Sequence, residues 1–285
     1  MKRWSFFVLP SLPPQRCGER QSQPQQLVVM TMNMRYDNPE DGENNWRFRR
    51  ERIAAMLREQ APDVFGTQEL LANQYDDLGA LLPDYRSVGV GREDGDRAGE
   101  FNAVFFRADA FELLDSGTFW LSEEPERPGS KGWDGACERL ATWVVLRRGG
   151  DGREFLFINT HLDHVGEQAR REGVALLLRR IEALRGDRPV ILTGDFNAEP
   201  DSPVIAHVVE GGLLKHAGEV AAEKYGSSWS FADFGQIPEE ERPLIDYIFI
   251  GGDLRADRYE VLPDRYEEGY LSDHAPVTAR LTFTR

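Results

Sequence analysis

The chain has 285 residues, of which 40% are apolar and only 16 are prolines, so it can bury a full core and is not a disordered polymer. Its 49 acidic against 34 basic residues give a formal charge of −15, which excludes a generic clamp on duplex DNA or anionic lipid, since Lys and Arg make those contacts. Two cysteines, Cys17 and Cys137, are too few for a disulfide framework or a structural zinc knuckle.

The chain opens with Lys2 and Arg3, a short apolar run from Trp4 to Leu9, then a stretch rich in Pro, Gln and Arg. This only half resembles a secretory signal, because prolines interrupt the apolar run and Gln15-Arg16-Cys17 is not a small-residue cleavage site. A cytoplasmic location is expected, with secretion as the alternative. Residues 1–26 are expected to be a flexible tail and residues 27–285 one soluble, monomeric domain, since no later run approaches the roughly 20 apolar residues of a membrane span.

In chain order, a strand is predicted over Leu27–Met34 and a helix over Trp46–Gln60, where Ile53, Met56 and Leu57 share a face. A strand over Val64–Gln68 precedes a helix with Asn73 as its N-cap, burying Leu78, Leu81 and Leu82. Strands follow at Ala103–Phe106, Thr142–Leu146 and Phe155–Thr160. The strongest helical pattern is Gly166–Arg185, with Val174, Leu177, Leu178, Ile181 and Leu184 on one side. A strand at Val190–Thr193 leads to a short helix from Ser202-Pro203 to Gly211-Gly212, and strands at Asp246–Ile250 and Val277–Thr284 close the pattern. Mixed strands and helices indicate a layered α/β sandwich.

Polar groups recur where these apolar runs meet loops. Asn33, Glu69, His161, Asp195 with Asn197, Asp246, and Asp273-His274 each stand at one end of a predicted strand. A rigid sheet holds such loop residues within catalytic tolerance. In Gly194-Asp195-Phe196-Asn197, alternation puts Asp195 and Asn197 on one face: a carboxylate can take a proton from water while the amide fixes that water or a phosphate oxygen. Asp246 is placed to orient the His274 imidazole. The donors Glu69, Asp273, Asp195, Asn33 and Asn197 are hard oxygens and favour Mg2+, with Mn2+ as a substitute, over zinc. No Walker loop, glycine fingerprint or serine nucleophile elbow is present.

Thr31-Met32-Asn33, Gln68-Glu69, Asn159-Thr160-His161-Leu162, Gly194-Asp195-Phe196-Asn197, Ile245-Asp246-Tyr247 and Ser272-Asp273-His274, in this order, resemble the successive motifs of the endonuclease/exonuclease/phosphatase superfamily. The resemblance covers nearly everything from Leu27 onward. It implies a four-layer sandwich of two mixed β-sheets packed face to face, with helices on the outer faces and the active site at one edge. It implies Glu69 as the main Mg2+ ligand, with Asn33 and Asp273 completing the metal and phosphate shell. Asp195 would activate the attacking water, assisted by Asn197. His274, held by Asp246, and His161 would hydrogen-bond the phosphoryl oxygens. In the deoxyribonuclease branch a glutamate pairs with the histidine equivalent to His161; Glu100 is placed for that role, and Asn102 is an alternative phosphate contact.

The superfamily spans nucleic acids, lipids and small phosphates, and fold alone does not separate them. Tyr36, Asn38, Trp46, Arg97, Trp133, Asp163 and His164 are candidates to line a specificity pocket, with core packing as the alternative for Trp46 and Trp133. The expected substrate is a small phosphorylated metabolite of the sugar or inositol phosphate type. The alternatives are a nuclease acting on RNA or single-stranded DNA, with duplex DNA disfavoured by charge, and a non-catalytic binding module on the same fold. A membrane-acting lipid enzyme would want an exposed apolar hairpin, and no such run stands out.

Overall fold

The alternation of side chains within each strand decides which face it buries, and in the central strands both faces are buried. The structure, a computed structural model, describes residues 26–284; the expected tail, over residues 1–25, lies outside them. The strands are β1 (Leu27–Asn33), β2 (Val64–Gln68), β3 (Tyr85–Val88), β4 (Val104–Arg107), β5 (Phe111–Trp120), β6 (Leu140–Arg148), β7 (Glu154–His161) and β8 (Val190–Asp195). There follow β9 (Lys215–His216), β10 (Glu223–Gly226), β11 (Asp246–Gly251), β12 (Leu254–Val261), the small hairpin β13 (Arg265–Tyr266) and β14 (Gly269–Tyr270), and β15 (Val277–Phe283). The helices are α1 (Trp46–Gln60), α2 (Ala72–Leu81), α3 (Glu167–Arg185), α4 (Pro203–Glu210) and the single turn α5 (Ala217–Val220).

One sheet has the order β10-β12-β15-β1-β2-β4-β3 and the other β5-β6-β7-β8-β11-β9. Between them lies a layer of inward side chains, Val29, Val64 and Phe106 from the first sheet against Leu146, Phe157, Ile191 and Ile248 from the second. The outward residues of the first sheet, Met30, Met32 and Phe65, pack on Ile53 and Leu57 of α1 and Leu78 of α2. Those of the second, Ile158, Leu192 and Phe249, pack on Val174, Leu177 and Ile181 of α3 and Val208 of α4. Burying each of these side chains contributes roughly 1.5–3 kcal/mol. The result is the four-layer α/β sandwich expected from the sequence.

Several elements depart from expectation, among them short strands and the hairpin β13–β14, which the sequence reading did not include. Helix α2 is capped at Leu71, where the Gln74 side chain accepts the Leu71 N–H at 3.0 Å; Asn73 lies inside the first turn and donates instead to Asp37 at 2.9 Å. Strands β5 and β12 are long yet absent from the sequence reading, because each carries a bulge, at Leu113/Asp115 and Ala256/Arg258, that breaks the two-residue period. Among the described residues no helix is long and apolar enough to cross a membrane.

Candidate active site

Strand direction brings the polar residues to one rim. β1 and β2 run parallel, as do β7 and β8, so the strand ends Asn33, Gln68, His161 and Asp195 point the same way. β11 and β15 are antiparallel to these pairs, so their beginnings, Asp246 and the Asp273-His274 loop, arrive at the same edge. In register, His161 faces Asp195 and Asp195 faces Asp246. Toward this rim the inner layer turns from apolar to polar. Gln68 donates to Asn159 Oδ1 at 2.7 Å and to Thr31 at 3.0 Å, and Asn159 donates to the Thr67 carbonyl at 2.8 Å, so amides tie the two sheets directly beneath the site. Gly66 is required there: a Cβ would stand 2.3 Å from Asn159 Oδ1.

The second sheet and the last loop contribute a closed hydrogen-bonded group. His274 Nδ1 donates to Asp246 at 2.8 Å, and although burial works to lower the His274 pKa, Asp246 holds it at about 10. Its Nε2 lies 3.8 Å from Asp195 Oδ2, which also accepts from Asn33 Nδ2 at 3.1 Å and sits 3.5 Å from His161 Nε2. Burial, with Asp246 repulsion adding to it, pushes Asp195 up to about 7. Asn197 has left-handed backbone (φ 45°), so its N–H caps Asp195 Oδ1 at 2.9 Å while its side-chain amide donates to the Leu162 carbonyl at 3.1 Å and lies 3.0 Å from His161 Nε2. That network assigns Nε2 of His161 as the acceptor and leaves its Nδ1–H buried and without a partner among the described residues. Burial, then Arg139 and Arg92, hold the His161 pKa well below its ordinary value, so the ring is neutral.

The first sheet contributes an open group. Glu69 has a strained left-handed backbone (φ 65°), and its carboxylate accepts from Asn33 Nδ2 at 3.0 Å and the Tyr36 N–H at 3.2 Å. Burial raises the Asp273 pKa and Glu69 repulsion adds to it, outweighing the opposing charges of His274 and of Arg35 at 3.7 Å. Asp195, Asp246 and His274 also bring ligand atoms within 4.8 Å of one another, but the proton on His274 already satisfies that trio. A divalent cation therefore fits best against Glu69 and Asp273, hard oxygen donors whose charges the protein leaves poorly compensated.

Arg49, wholly buried, fixes this half. Its Nη1 donates to the carbonyls of Met34 at 2.7 Å and Leu271 at 2.8 Å, its Nη2 to Arg35 at 3.1 Å and its Nε to Asn44 at 2.5 Å, so one guanidinium joins the Asn33 and Asp273 loops.

The cleft above these groups measures about 450 Å³. Of the sequence candidates, Tyr36, Glu69, Glu100, His161, His164, Asp195, Asn197, Asp273 and His274 line it. Asn33 and Asp246 are fully buried and reach it through their hydrogen bonds. Glu100 pairs with Arg92 at 2.6 Å rather than with His161, and burial, then Glu69, pushes it up to about 7.

Six further candidates are not among the lining residues. Asn38 caps a short helical turn by accepting the Glu40 N–H, and Arg97 pairs with Asp76 on the surface. Asn102 is buried and donates to the Leu140 carbonyl between strands. Trp133 sits on a left-handed turn (φ 50°) anchored to Glu123. Trp46 is core, its indole N–H on Asp77. Asp163 is buried under backbone donors from Val165, Gly166, Ala136 and Cys137, which overcome burial and hold its pKa at about 2; it shapes the loop below His164.

Sequence reasoning missed Arg35, Arg92 and Arg139, all of which line the cleft. Arg139 was detectable: it directly precedes β6, whose start lies beside the end of its antiparallel neighbour β7, where His161 stands.

Residues 30–274 match the model of the Endonuclease/Exonuclease/phosphatase family. Among solved structures, an endonuclease/exonuclease/phosphatase from Bacteroides vulgatus is 41% identical, covers 91% of this chain and 99% of its own, and superposes with a TM-score of 0.88. A mannosyl-6-phosphatase from Bacteroides thetaiotaomicron is 37% identical over 90% of this chain and 100% of its own, with a TM-score of 0.85. The CCR4-Not complex 3'-5'-exoribonuclease subunit Ccr4 of Emericella nidulans is 25% identical over 64% of this chain, which spans only about 36% of that longer protein. By its family match, its fold and these relatives, the chain belongs to the endonuclease/exonuclease/phosphatase family, whose members are hydrolytic enzymes, phosphatases and nucleases.

Proposed function

We propose that the protein is a Mg2+-dependent phosphatase acting on a small phosphorylated metabolite of the sugar phosphate type. The observation that carries this reading is the lining of the cleft. Its aromatic rings are already engaged, Tyr36 under the Arg35 guanidinium at 4.6 Å and Phe231 against His274 at 4.8 Å, while arginines, carboxylates and histidines supply most of the rest, with Asn197, Cys137 and Ile245. Single-stranded nucleic acid is held mainly by stacking on open aromatic faces and by a basic track, whereas this lining suits one phosphate and hydroxyl groups. The mannosyl-6-phosphatase, matched over its whole length, supports the same reading.

Phosphoester hydrolysis needs little covalent help from the protein and much charge neutralisation and in-line positioning. Glu69 and Asp273 would hold Mg2+, or Mn2+ in its place, with Asn33 fixing Glu69 through its amide N–H; the ion when bound supplies positive charge to the phosphoryl and leaving oxygens. His274, kept protonated by Asp246, donates from Nε2 to a phosphoryl oxygen, and the neutral His161 lines the cleft beside it and holds Asn197. Asp195 takes the proton of the attacking water, and Asn197 fixes its orientation.

The test is phosphate release from sugar monophosphates, inositol phosphates, nucleotides and single-stranded RNA and DNA, with Mg2+, with Mn2+ and with EDTA, beside Asp195→Ala. Metal-dependent release from a sugar monophosphate, lost in Asp195→Ala, is expected. Cleavage of RNA without turnover of any sugar phosphate would overturn the reading in favour of an exoribonuclease, the activity named for the Ccr4 relative.

A further inference from the structure

Outside the residues that handle the phosphate, one wall of the cleft carries polar groups without an assigned task. Arg92 pairs through Nη1 with Glu100 at 2.6 Å, and both side chains are mostly buried. The Arg92 carbonyl accepts the indole N–H of Trp120 at 2.6 Å, which pins the loop that carries the pair. Arg139, also buried, lies with Nη2 3.1 Å from His164 Nδ1 and Nε 3.7 Å from Asp163. Both Arg92 and Arg139 keep a buried Nε–H without a hydrogen-bond partner among the described residues. Those Nε–H groups face the protein, whereas the residues themselves line the cleft, where their guanidinium ends can meet a ligand.

Resting on the phosphatase reading above, we propose that Arg92, Glu100 and Arg139 form a hydroxyl-reading subsite that selects a neutral polyol carrying a single phosphate and rejects a second phosphate. A hydroxyl both donates and accepts, so a wall reading it needs donors and an acceptor side by side; two guanidiniums and one carboxylate supply both. A wall built to follow a polyphosphate or a nucleic-acid backbone would need donors only. Glu100 answers the charge of Arg92 and Asp163 that of Arg139, so the wall carries no net positive charge to draw in a second phosphate. The subsite thus turns a general phosphate centre into one that measures what is attached to the phosphate.

Three substrates at pH 8, where Glu100 is ionised, read the proposal: a hexose 6-phosphate, the corresponding hexose 1,6-bisphosphate, and phenyl phosphate, which has no hydroxyls. In Arg139→Gln and in Arg92→Gln, kcat/KM for the hexose 6-phosphate relative to phenyl phosphate should fall about tenfold or more, mainly through KM. In Glu100→Gln, kcat/KM for the bisphosphate relative to the monophosphate should rise about tenfold. Melting curves accompany each variant, and Arg139→Lys, which keeps the charge and loses the planar fork, replaces any variant that does not fold. Ratios within about twofold of wild type, in an enzyme that turns over hexose 6-phosphate, would overturn the subsite and leave the phosphatase reading standing. Failure of the wild type on every sugar phosphate would overturn both.

Discussion

The two halves of the rim differ in how their charges are closed. In the half built from β7, β8, β11 and His274 the charges are answered internally, since Asp246 holds the His274 proton and Asn33, Asn197, His161 and His274 surround Asp195, although burial and Asp246 still push Asp195 up to about 7. The half built from β1, β2 and Asp273 has no proton of its own to do this: Glu69 and Asp273 repel each other, and Asp273 is answered by the charge of His274 from the other half and by Arg35 at 3.7 Å. A protein can store a proton permanently, but a carboxylate pair left open at such cost is a place kept for something that arrives from solution.

The largest expected effect comes from breaking the closed half. Asp246→Asn should remove the charge that keeps His274 protonated and lower kcat by about 10²–10⁴; kcat with a melting curve reads this, and near-normal turnover in a folded variant would show that the Asp246–His274 pair is not catalytic. Next, Glu69→Gln should weaken Mg2+ binding about 100-fold by titration calorimetry, while raising metal-free stability by about 1 kcal/mol because Asp273 loses its like-charged neighbour. Unchanged Mg2+ affinity would move the cation to the Asp195, Asp246 and His274 group.

The smallest effect separates the rim from its surroundings. His216, packed against Tyr247, Phe249 and Tyr259 with Nε2 unpartnered, has its pKa lowered by burial, then by Lys224, to about 4. A depressed folded-state pKa means that the unfolded chain binds the proton first. The stability tied to this residue is therefore complete above about pH 6.5 and lost as pH falls toward 4. At pH 5 the loss should be about 2 kcal/mol, and His216→Leu should flatten that part of the denaturation profile between pH 7 and 5 without altering the metal dependence. An unaltered slope in the variant would assign the acid sensitivity to the rim.

Much of this was legible in the sequence because the rim residues are tied to strand ends, and strand ends show where an apolar run stops. Asn33, Glu69, His161, Asp195, Asp246 and His274 each stand directly beside such a run. Helix α1 was readable from Ile53, Met56 and Leu57 alone, with its bounds as expected. What failed depended on contacts distant in sequence. Asn38, Arg97 and Trp133 neighbour site motifs along the chain, yet local turns and pairs engage them elsewhere. Arg35, Arg92 and Arg139 look like solvated charges in a chain of 34 basic residues, and only the closing of two sheets turns them inward. The amide bridge of Gln68 and Asn159 was hidden for the same reason, since it joins residues 91 apart in sequence.

Arg49 has a consequence for the order in which the site is made. It grips the carbonyl of Leu271, 222 positions away, and the loop it grips carries Asp273 and His274 just ahead of β15, a strand inserted between β1 and β12 inside the first sheet. Helices and the β5–β6–β7 meander form from contacts close in sequence, whereas this clamp waits for a loop closure spanning most of the chain. During synthesis both halves of the rim therefore lack a member until the last strand is released and threaded between its neighbours. Catalytic competence is then one of the final events of folding, and a nascent chain can carry a nearly complete sandwich while remaining inert.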